Sequence, residues 1–162
     1  MISRRIYEQE LGGEHMYSYS NDYNLIYRQN DKLIHDIENA INGEYSAINC
    51  YAKLANLAPQ DNERNQILEI RQDEIKHFQQ FVQIYIHLTG KQPQPKIIEQ
   101  CPDSYVNGLE YALQDEQRTV DFYLKIADDT TDQYIKETFR RTAADEQNHA
   151  VWFLYYFLKA KK

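Results

Sequence analysis

The stretch Asp145-Glu146-Gln147-Asn148-His149 has a twin at Asp73-Glu74-Ile75-Lys76-His77. Both stretches contain Glu-x-x-His, and residues three apart in an α-helix lie on one face of the helix, about one turn apart. Each copy therefore directs one carboxylate and one imidazole toward the same point. A carboxylate and an imidazole that converge in this way are a candidate pair of metal ligands.

The two stretches belong to a longer internal repeat, which appears when the chain is shifted by 72 residues against itself. The identical residues that then coincide include ten pairs: Glu38, Ala40, Glu44, Tyr51, Lys53, Ala55, Asp73, Glu74, His77 and Phe81 fall on Glu110, Ala112, Glu116, Tyr123, Lys125, Ala127, Asp145, Glu146, His149 and Phe153. This pattern indicates one helical hairpin present twice. It adds a lone glutamate to each hairpin, Glu44 and Glu116, each 30 residues before the Glu of its Glu-x-x-His.

Apolar residues at helical spacing predict four helices, at about 31–57, 61–89, 104–128 and 132–159. The links within each hairpin are short, so the paired helices run antiparallel. Three prolines keep residues 91–103 from being helical, and thirteen extended residues reach about 43 Å, enough to return along the bundle. The sequence thus predicts an all-α four-helix bundle in which a long crossover joins two helical hairpins.

The Tyr-rich residues 1–30 show no clear period and are predicted to be a partly ordered extension with at most a short helix. Their aromatic side chains are expected to pack either on this chain or on a neighbouring subunit. The predicted domain is residues 31–162, for which a homodimer or a higher homo-oligomer is expected.

Composition narrows the class of protein. A net charge of −7 argues against nucleic-acid binding, since phosphate requires clustered Lys and Arg. The longest apolar run, Ala150–Leu158, is about half of the roughly 20 residues that span a membrane, and no secretory signal is visible. Cys50 and Cys101 form no Cys-x-x-Cys pair, so we predict structural thiols rather than redox groups and a reducing, cytoplasmic location.

The predicted hairpins bring the repeated acidic residues to one level. Glu44 lies about 13 residues before its turn and Glu74 about 13 after, so at about 1.5 Å per residue both stand about 20 Å from it. Both hairpins together give four Glu and two His in the core. Two divalent cations would balance four carboxylates, and oxygen with imidazole ligands suits iron or manganese, with zinc as a further occupant.

Other polar residues near this level each have two interpretations. Asp73 and Asp145 either hydrogen-bond the distal nitrogen of a ligand histidine on the opposite hairpin or are solvated helix charges. Tyr51 and Tyr123, seven residues after their glutamates, either hydrogen-bond or are oxidised at the centre, or simply pack in the core. The remaining histidines, His15, His35 and His87, lie off the ligand face.

Residues 31–159 resemble the ferritin-like di-iron carboxylate superfamily, nearest to its rubrerythrin and bacterioferritin branches. The first helix, Glu44-Tyr45-Ser46-Ala47-Ile48-Asn49-Cys50-Tyr51, and the last, Asp145-Glu146-x-x-His149-x-x-Trp152, are similar to bacterioferritin segments. The third, with Glu116, Phe122-Tyr123 and Ile126-Ala127, is similar to rubrerythrins. The resemblance implies two iron ions held by Glu44, Glu74, His77, Glu116, Glu146 and His149, with Glu74 and Glu146 as the bridges.

The resemblance also implies an activity, the reaction of Fe(II) with dioxygen or hydrogen peroxide by a non-haem di-iron oxidoreductase. Alternatives are a metal-binding or iron-storage protein with little turnover, and a scaffold that holds metal for stability. No rubredoxin-type domain is present, so an external electron donor is expected. Thr119 replaces an additional rubrerythrin glutamate, which argues against rubrerythrin-type peroxidase cycling. Ile75 replaces the haem-ligating Met of bacterioferritins, so no haem is expected, and no fifth helix supports a storage cage.

Overall fold

The computed structural model describes the backbone from residue 14 and the side chains from residue 30, up to residue 162. Four helices make up this part of the chain: α1 Glu14–Leu57, α2 Asp61–Thr89, α3 Tyr105–Asp129 and α4 Gln133–Ala160. The predicted all-α four-helix bundle is confirmed, and the described residues contain no strand. None of these helices combines the length and the apolar character that a membrane crossing requires.

The start of the first helix differs from the prediction. Helix α1 begins at Glu14 instead of residue 31, and no Gly or Pro interrupts the chain between them. Apolar periodicity alone placed the start too late, because a helix also continues through a polar, Tyr-rich stretch that contains no breaker. Contacts within the chain group residues 1–32 and 33–162 as two units. The predicted partly ordered state of residues 1–13 lies outside the described residues.

The other helix ends follow local sequence signals. Gly90 ends α2 in the left-handed conformation with φ of 69°, and its N–H bonds back into the last turn. Ser104 and Asp132 cap α3 and α4 with their side-chain oxygens. Helix α2 begins without such a cap. Gln60 occupies the cap position without a side-chain hydrogen bond, while Asp61 lies in the first turn, where a negative charge suits the helix dipole.

The bundle core consists of two apolar clusters, each built from all four helices. The first cluster contains Ile37, Ala40, Ile41, Phe81, Ile84, Tyr123, Ile126, Ala127, Ile135, Phe139 and Ala143. The second contains Ala47, Cys50, Tyr51, Leu54, Ala55, Ile67, Ile70, Leu109, Ala112, Phe153 and Tyr156. In α1 and α4 the first cluster precedes the second along the chain, whereas in α2 and α3 it follows. Helices α1 and α4 therefore run one way and α2 and α3 the other.

The crossover between α2 and α3 runs along α1. The Lys96 N–H donates to Asn42 Oδ1 at 2.8 Å, and the Ile98 N–H donates to Ser46 Oγ at 3.0 Å. Residue numbers rise together on both segments, so the crossover is parallel to α1. It thereby returns the chain to the end of the bundle where α2 began, as the sequence predicts.

The cysteines contradict the sequence prediction of free structural thiols. Cys50 on α1 and Cys101 at the end of the crossover form a disulfide, and the described residues contain no free cysteine. Lys53 supports the junction by donating to the Cys101 carbonyl at 3.1 Å. The two residues are 51 apart in sequence, and only the path of the crossover brings them together. The inference of a reducing compartment from these residues therefore loses its basis.

Reduction of this disulfide is expected to lower the melting temperature. A cross-link that closes a loop of 51 residues stabilises a fold by roughly 4 kcal/mol in the chain-entropy description. For a protein of this size that corresponds to a shift of about 10 °C, measurable by calorimetry of Cys101→Ser beside the oxidised protein. Added dithiol should lower the melting temperature of the unmodified protein and leave that of Cys101→Ser unchanged. An identical melting temperature for both proteins would contradict this prediction.

Glu63 is a buried carboxylate at the end of the bundle where the second cluster lies. Glu63, in the first turn of α2, accepts hydrogen bonds from the Tyr105 hydroxyl at 2.6 Å and from Lys159 Nζ at 2.6 Å. The start of α2 is thus joined to the start of α3 and the end of α4. Because a cation and a hydroxyl meet it, Glu63 is buried with its charge satisfied.

Candidate metal centre

The polar layer of the core lies between the two apolar clusters. It contains six residues, each at most 4% exposed: Glu44, Glu74, His77, Glu116, Glu146 and His149. In every helix these residues fall between a stretch of the first cluster and a stretch of the second. Sequence analysis predicted these six as ligands, and the structure brings all of them together. Acidic groups enclosed by apolar layers on both sides are costly to desolvate unless positive charge meets them.

The six residues form two overlapping groups of four. One group contains Glu44, Glu74, His77 and Glu146, and the other contains Glu74, Glu116, Glu146 and His149. Within each group the ligand atoms lie within 4.8 Å of one another. Glu74 and Glu146 belong to both groups and lie between them. Their position fits carboxylates that bridge two metal ions.

Both histidines turn the same ring nitrogen inward. His77 Nδ1 lies 3.1 Å from Glu74 Oε2 and 3.2 Å from Glu146 Oε1. His149 Nδ1 lies 2.9 Å from Glu74 Oε1 and 3.0 Å from Glu146 Oε2. Each Nδ1 thus approaches one oxygen of both shared glutamates. This matched geometry follows from the repeat, which gives the two hairpins the same ligand spacing.

The opposite ring nitrogens face the two aspartates across the hairpins. His77 Nε2 lies 3.5 Å from Asp145 Oδ2, and His149 Nε2 lies 3.6 Å from Asp73 Oδ2. These separations are longer than good hydrogen bonds but place a negative charge behind each ring. Both aspartates are also solvated, with side chains about 30% exposed, and they pair with Lys76 and Arg141. In the structure both aspartates are therefore partly solvated helix charges that face the histidine rings, and the predicted hydrogen bonds to those rings are not formed.

The tyrosines of the repeat join the hairpins. Tyr51 on α1 donates to Glu116 Oε1 at 2.6 Å, and Tyr123 on α3 donates to Glu44 Oε1 at 2.5 Å. Each tyrosine thus fixes the lone glutamate of the other hairpin. Burial and the neighbouring carboxylate raise the pKa of both phenols well above the ordinary value, which keeps them protonated donors. Of the two interpretations, the hydrogen bond to a site carboxylate is the one that the structure contains.

Protons compensate for part of the negative charge when no metal is bound. Burial, followed by the charges of Glu146 and Glu74, raises the pKa of Glu44 well above the ordinary value. Burial opposes ionisation of Glu74 too, but the close imidazoles of His149 and His77 lower its pKa to about 2. Burial alone would lower the pKa of His77, whereas its bonds to Glu146 and Glu74 raise it to about 10. The pKa of His149 is raised likewise.

Two oxygens show that protons do not satisfy this site. Among the described residues, Glu74 Oε1 and Glu146 Oε1 are the buried side-chain polar atoms left without a hydrogen bond, although His149 Nδ1 lies 2.9 Å from the first and His77 Nδ1 lies 3.2 Å from the second. Each Nδ1 carries at most one hydrogen, although carboxylates from both shared glutamates crowd around it. Two divalent cations would supply four positive charges to balance the four glutamates, and the two oxygens without a hydrogen bond would serve as ligands. The residues present therefore fit a pair of metal ions, with the four glutamates and two histidines as ligands.

The remaining polar candidates lie away from this layer. His35 and His87 are exposed, and His15 lies outside the described side chains. Sequence reasoning missed the disulfide and the buried contact of Glu63 with Tyr105 and Lys159. Neither has a signal in the sequence, because each joins residues that are far apart in the chain. Neither lies among the six residues of the metal layer.

Comparisons with known proteins agree with this geometry. The rubrerythrin family pattern matches residues 107–162. The chain is 52% identical over 143 residues to the uncharacterized protein YhjR of Bacillus subtilis (strain 168), a match that covers 88% of this chain and 98% of YhjR.

Two solved structures share the fold. One is a bacterioferritin of Desulfovibrio desulfuricans, crystallised to show its diiron site in different catalytic states. It matches with a TM-score of 0.72 and 21% identity over 83% of this chain and 82% of that one. The other is a hypothetical protein from Pyrococcus furiosus, with a TM-score of 0.67 and 22% identity over 77% and 87% of the chains. The chain therefore belongs to one family with YhjR, its residues 107–162 match the rubrerythrin family, and its fold is the ferritin-like four-helix bundle.

Proposed function

We propose that this protein is a non-haem di-iron oxidoreductase that oxidises Fe(II) with dioxygen or hydrogen peroxide. The observation that supports it most is the buried layer of four glutamates and two histidines with two orphaned carboxylate oxygens. Such a layer is unfavourable without cations, and two iron ions would supply one-electron redox chemistry there. In the peroxide reaction, two Fe(II) give up two electrons, and hydrogen peroxide with two protons becomes two water molecules.

The chain's own residues bind and orient the metal ions in this proposal. Glu74 and Glu146 lie between the two positions, while Glu44 and Glu116 each complete one of them. Tyr51 holds Glu116, and the equivalent bond from α3 holds Glu44, so the terminal carboxylates keep their orientation. The apolar clusters on both sides exclude bulk water and strengthen the electrostatic interactions within the layer.

Repeated turnover requires a source of electrons. Both cysteines are held in the disulfide between α1 and the crossover, and no rubredoxin-type cysteine set is present in the sequence. We therefore propose an external electron donor. The ligand set of carboxylate oxygens and imidazoles suits iron, manganese and zinc. Iron is the proposed native metal because it also supplies the one-electron redox chemistry that the proposed reaction needs.

Anaerobic titration with Fe(II) tests this function. We expect binding to saturate at two iron ions per chain, because the described residues form two overlapping ligand groups. Addition of one equivalent of hydrogen peroxide, or of air, should then produce a ferric absorption band in the near ultraviolet and consume the oxidant. Tight binding without oxidation would contradict the enzymatic proposal and favour a structural metal site. Retention of far more than two iron ions per chain would favour storage.

A further inference from the structure

The most exposed residues in the second half of α4 carry no charge. The exposed residues between positions 144 and 158 are all uncharged, namely Ala144, Gln147, Asn148, Val151, Leu154, Tyr155 and Leu158, while the charged Asp145 at the start of this stretch has a side chain 30% exposed. Charged residues make up 27% of the chain, so a set of seven exposed residues without a charge is unusual for it. Val151 is 61% exposed, Tyr155 and Leu158 are 56% exposed, and Leu154 is 41% exposed. These seven residues are called here the α4 outer surface.

From Ala150 to Leu158, α4 is also apolar on its inner side. Phe153 is fully buried in the second core cluster, and Tyr156 is nearly so. A helix that is apolar on all sides is normally covered on all sides. The bundle covers only the inner side of this one, so the exposed side lacks a covering partner among the residues whose side chains the structure describes.

The spacing of the α4 outer surface is that of a helix–helix contact. Ala144, Val151 and Leu158 recur every seven residues, and Gln147 and Leu154 lie between them with the same period. Apolar residues alternating at intervals of three and four form the seam along which two helices pack. The pattern therefore favours another helix as the occupant, lying along α4.

The adjacent helix widens this surface. Leu113 and Val120 of α3 join Val151 and Leu154 in lining a shallow groove of about 320 Å³, and the polar lining residues are the neutral Gln117 and Gln147. An exposed apolar area of a few hundred Å² on a soluble protein marks an interaction site. Pairing two such areas brings the total toward the roughly 1,000 Å² or more that a specific interface requires.

We propose that the α4 outer surface binds a second copy of this chain, with the two α4 helices antiparallel about a two-fold axis. Two chains that each carry a net charge of −7 repel each other, and they approach most easily through a face without charge. A charged partner would find no opposite charge on this face to recognise. An isologous contact also requires a self-complementary patch.

The antiparallel arrangement satisfies that requirement. With the axis between Leu154 and Tyr155, these two side chains of one copy meet the same two of the other, and Val151 meets Leu158. The basic end of one α4, at Lys161 and Lys162, then lies near neutral Gln147 and Asn148 of the second copy. The opposed helix dipoles also attract each other.

Molar-mass measurement of the full chain over a range of concentrations tests the proposal. The unmodified protein should have twice the chain mass of 19.4 kDa. Leu154→Glu should have the single-chain mass, because each copy would then bury an unpaired carboxylate and the dissociation constant should rise by about a hundredfold or more. Leu68→Glu is the matched control, since Leu68 is 39% exposed against 41% for Leu154 but lies on α2. The control should remain a dimer, and circular dichroism should show both variants folded.

Cross-linking locates the contact independently of stability. Leu154→Cys lies next to the proposed axis, so mild oxidation should join two chains covalently, whereas Leu68→Cys should remain uncross-linked under the same conditions. A single-chain mass for the unmodified protein at all concentrations would overturn the proposal. It would mean that other residues of the chain, or a partner of another kind, cover the surface. A dimer that survives Leu154→Glu would overturn it as well.

Discussion

Glu74→Gln is expected to abolish the binding of both iron ions, so that iron content falls from two per chain to less than one. Glu74 belongs to both ligand groups, with one oxygen near His77 and the other near His149. An amide removes one of the four negative charges that balance two divalent cations and offers a single, weaker oxygen ligand. Supporting residues around metal ligands change affinity by about 10–100-fold, so the loss of a shared ligand should exceed 100-fold.

Glu146 allows a second test of the shared-ligand role, and an exposed glutamate of α2 provides the control. Glu146→Gln should have the same effect, because Glu146 holds the equivalent shared position. Glu69→Gln makes the same chemical change on the exposed side of α2, where Glu69 only accepts a hydrogen bond from Gln66. Iron content measured by anaerobic titration should be unchanged in this control. Two iron ions bound to Glu74→Gln would show that the shared position does not bridge.

Glu44→Gln is expected to change stability in opposite directions with and without metal. At neutral pH the metal-free variant should melt at a higher temperature than the unmodified protein, by roughly 3–10 °C, which corresponds to about 1–3 kcal/mol. Burial and the charges of Glu146 and Glu74 disfavour the Glu44 carboxylate, and an amide removes that penalty while still accepting the Tyr123 hydrogen bond. With iron bound, the variant should be the less stable protein, because it has lost a ligand and a balancing charge.

The stabilisation of the metal-free protein by Glu44→Gln should depend on pH. The pKa of Glu44 is raised in the folded protein above its ordinary value of 4.5, so the folded state holds the proton more tightly than the unfolded state. The penalty is therefore absent at pH values below the ordinary pKa and grows as the pH rises above it. Melting temperatures of the metal-free proteins should converge near pH 4 and diverge toward neutral pH. A constant difference across this range would contradict the electrostatic explanation.

Glu63→Gln is the matched control for a buried glutamate. Glu63 is as buried as Glu44, but Lys159 and the Tyr105 hydroxyl satisfy its charge within the chain. The same substitution at position 63 should lower the melting temperature, because Lys159 then loses the carboxylate with which it is paired. Metal should not alter the size of this loss. Without metal, Glu44→Gln should raise the melting temperature and Glu63→Gln should lower it. This difference would show that the charge of Glu63 is paired with a cation within the chain, whereas the charge of Glu44 is not.

Much of the fold could be predicted from the sequence because its signals are local. Pro59 and Gly90 act on the chain near them, and apolar spacing identifies the buried face of a helix without knowledge of its neighbours. The short links make the hairpins antiparallel, and antiparallel hairpins of equal length bring Glu44 to the height of Glu74. The start of α1 was placed wrongly because residues 14–30 offer neither an apolar period nor a breaker.

The sequence by itself determined the four-helix class, the crossover and the six residues of the metal layer, since the repeat states the ligand set twice. Only the tertiary structure decided which contacts cross between hairpins. The bonds from Tyr51 to Glu116 and from Tyr123 to Glu44 are of this kind, and so is the disulfide of Cys50 with Cys101. Periodicity tells which way a side chain faces, but the partner it meets depends on how separate segments pack. That packing is set by the shape of the whole core, which no local pattern encodes.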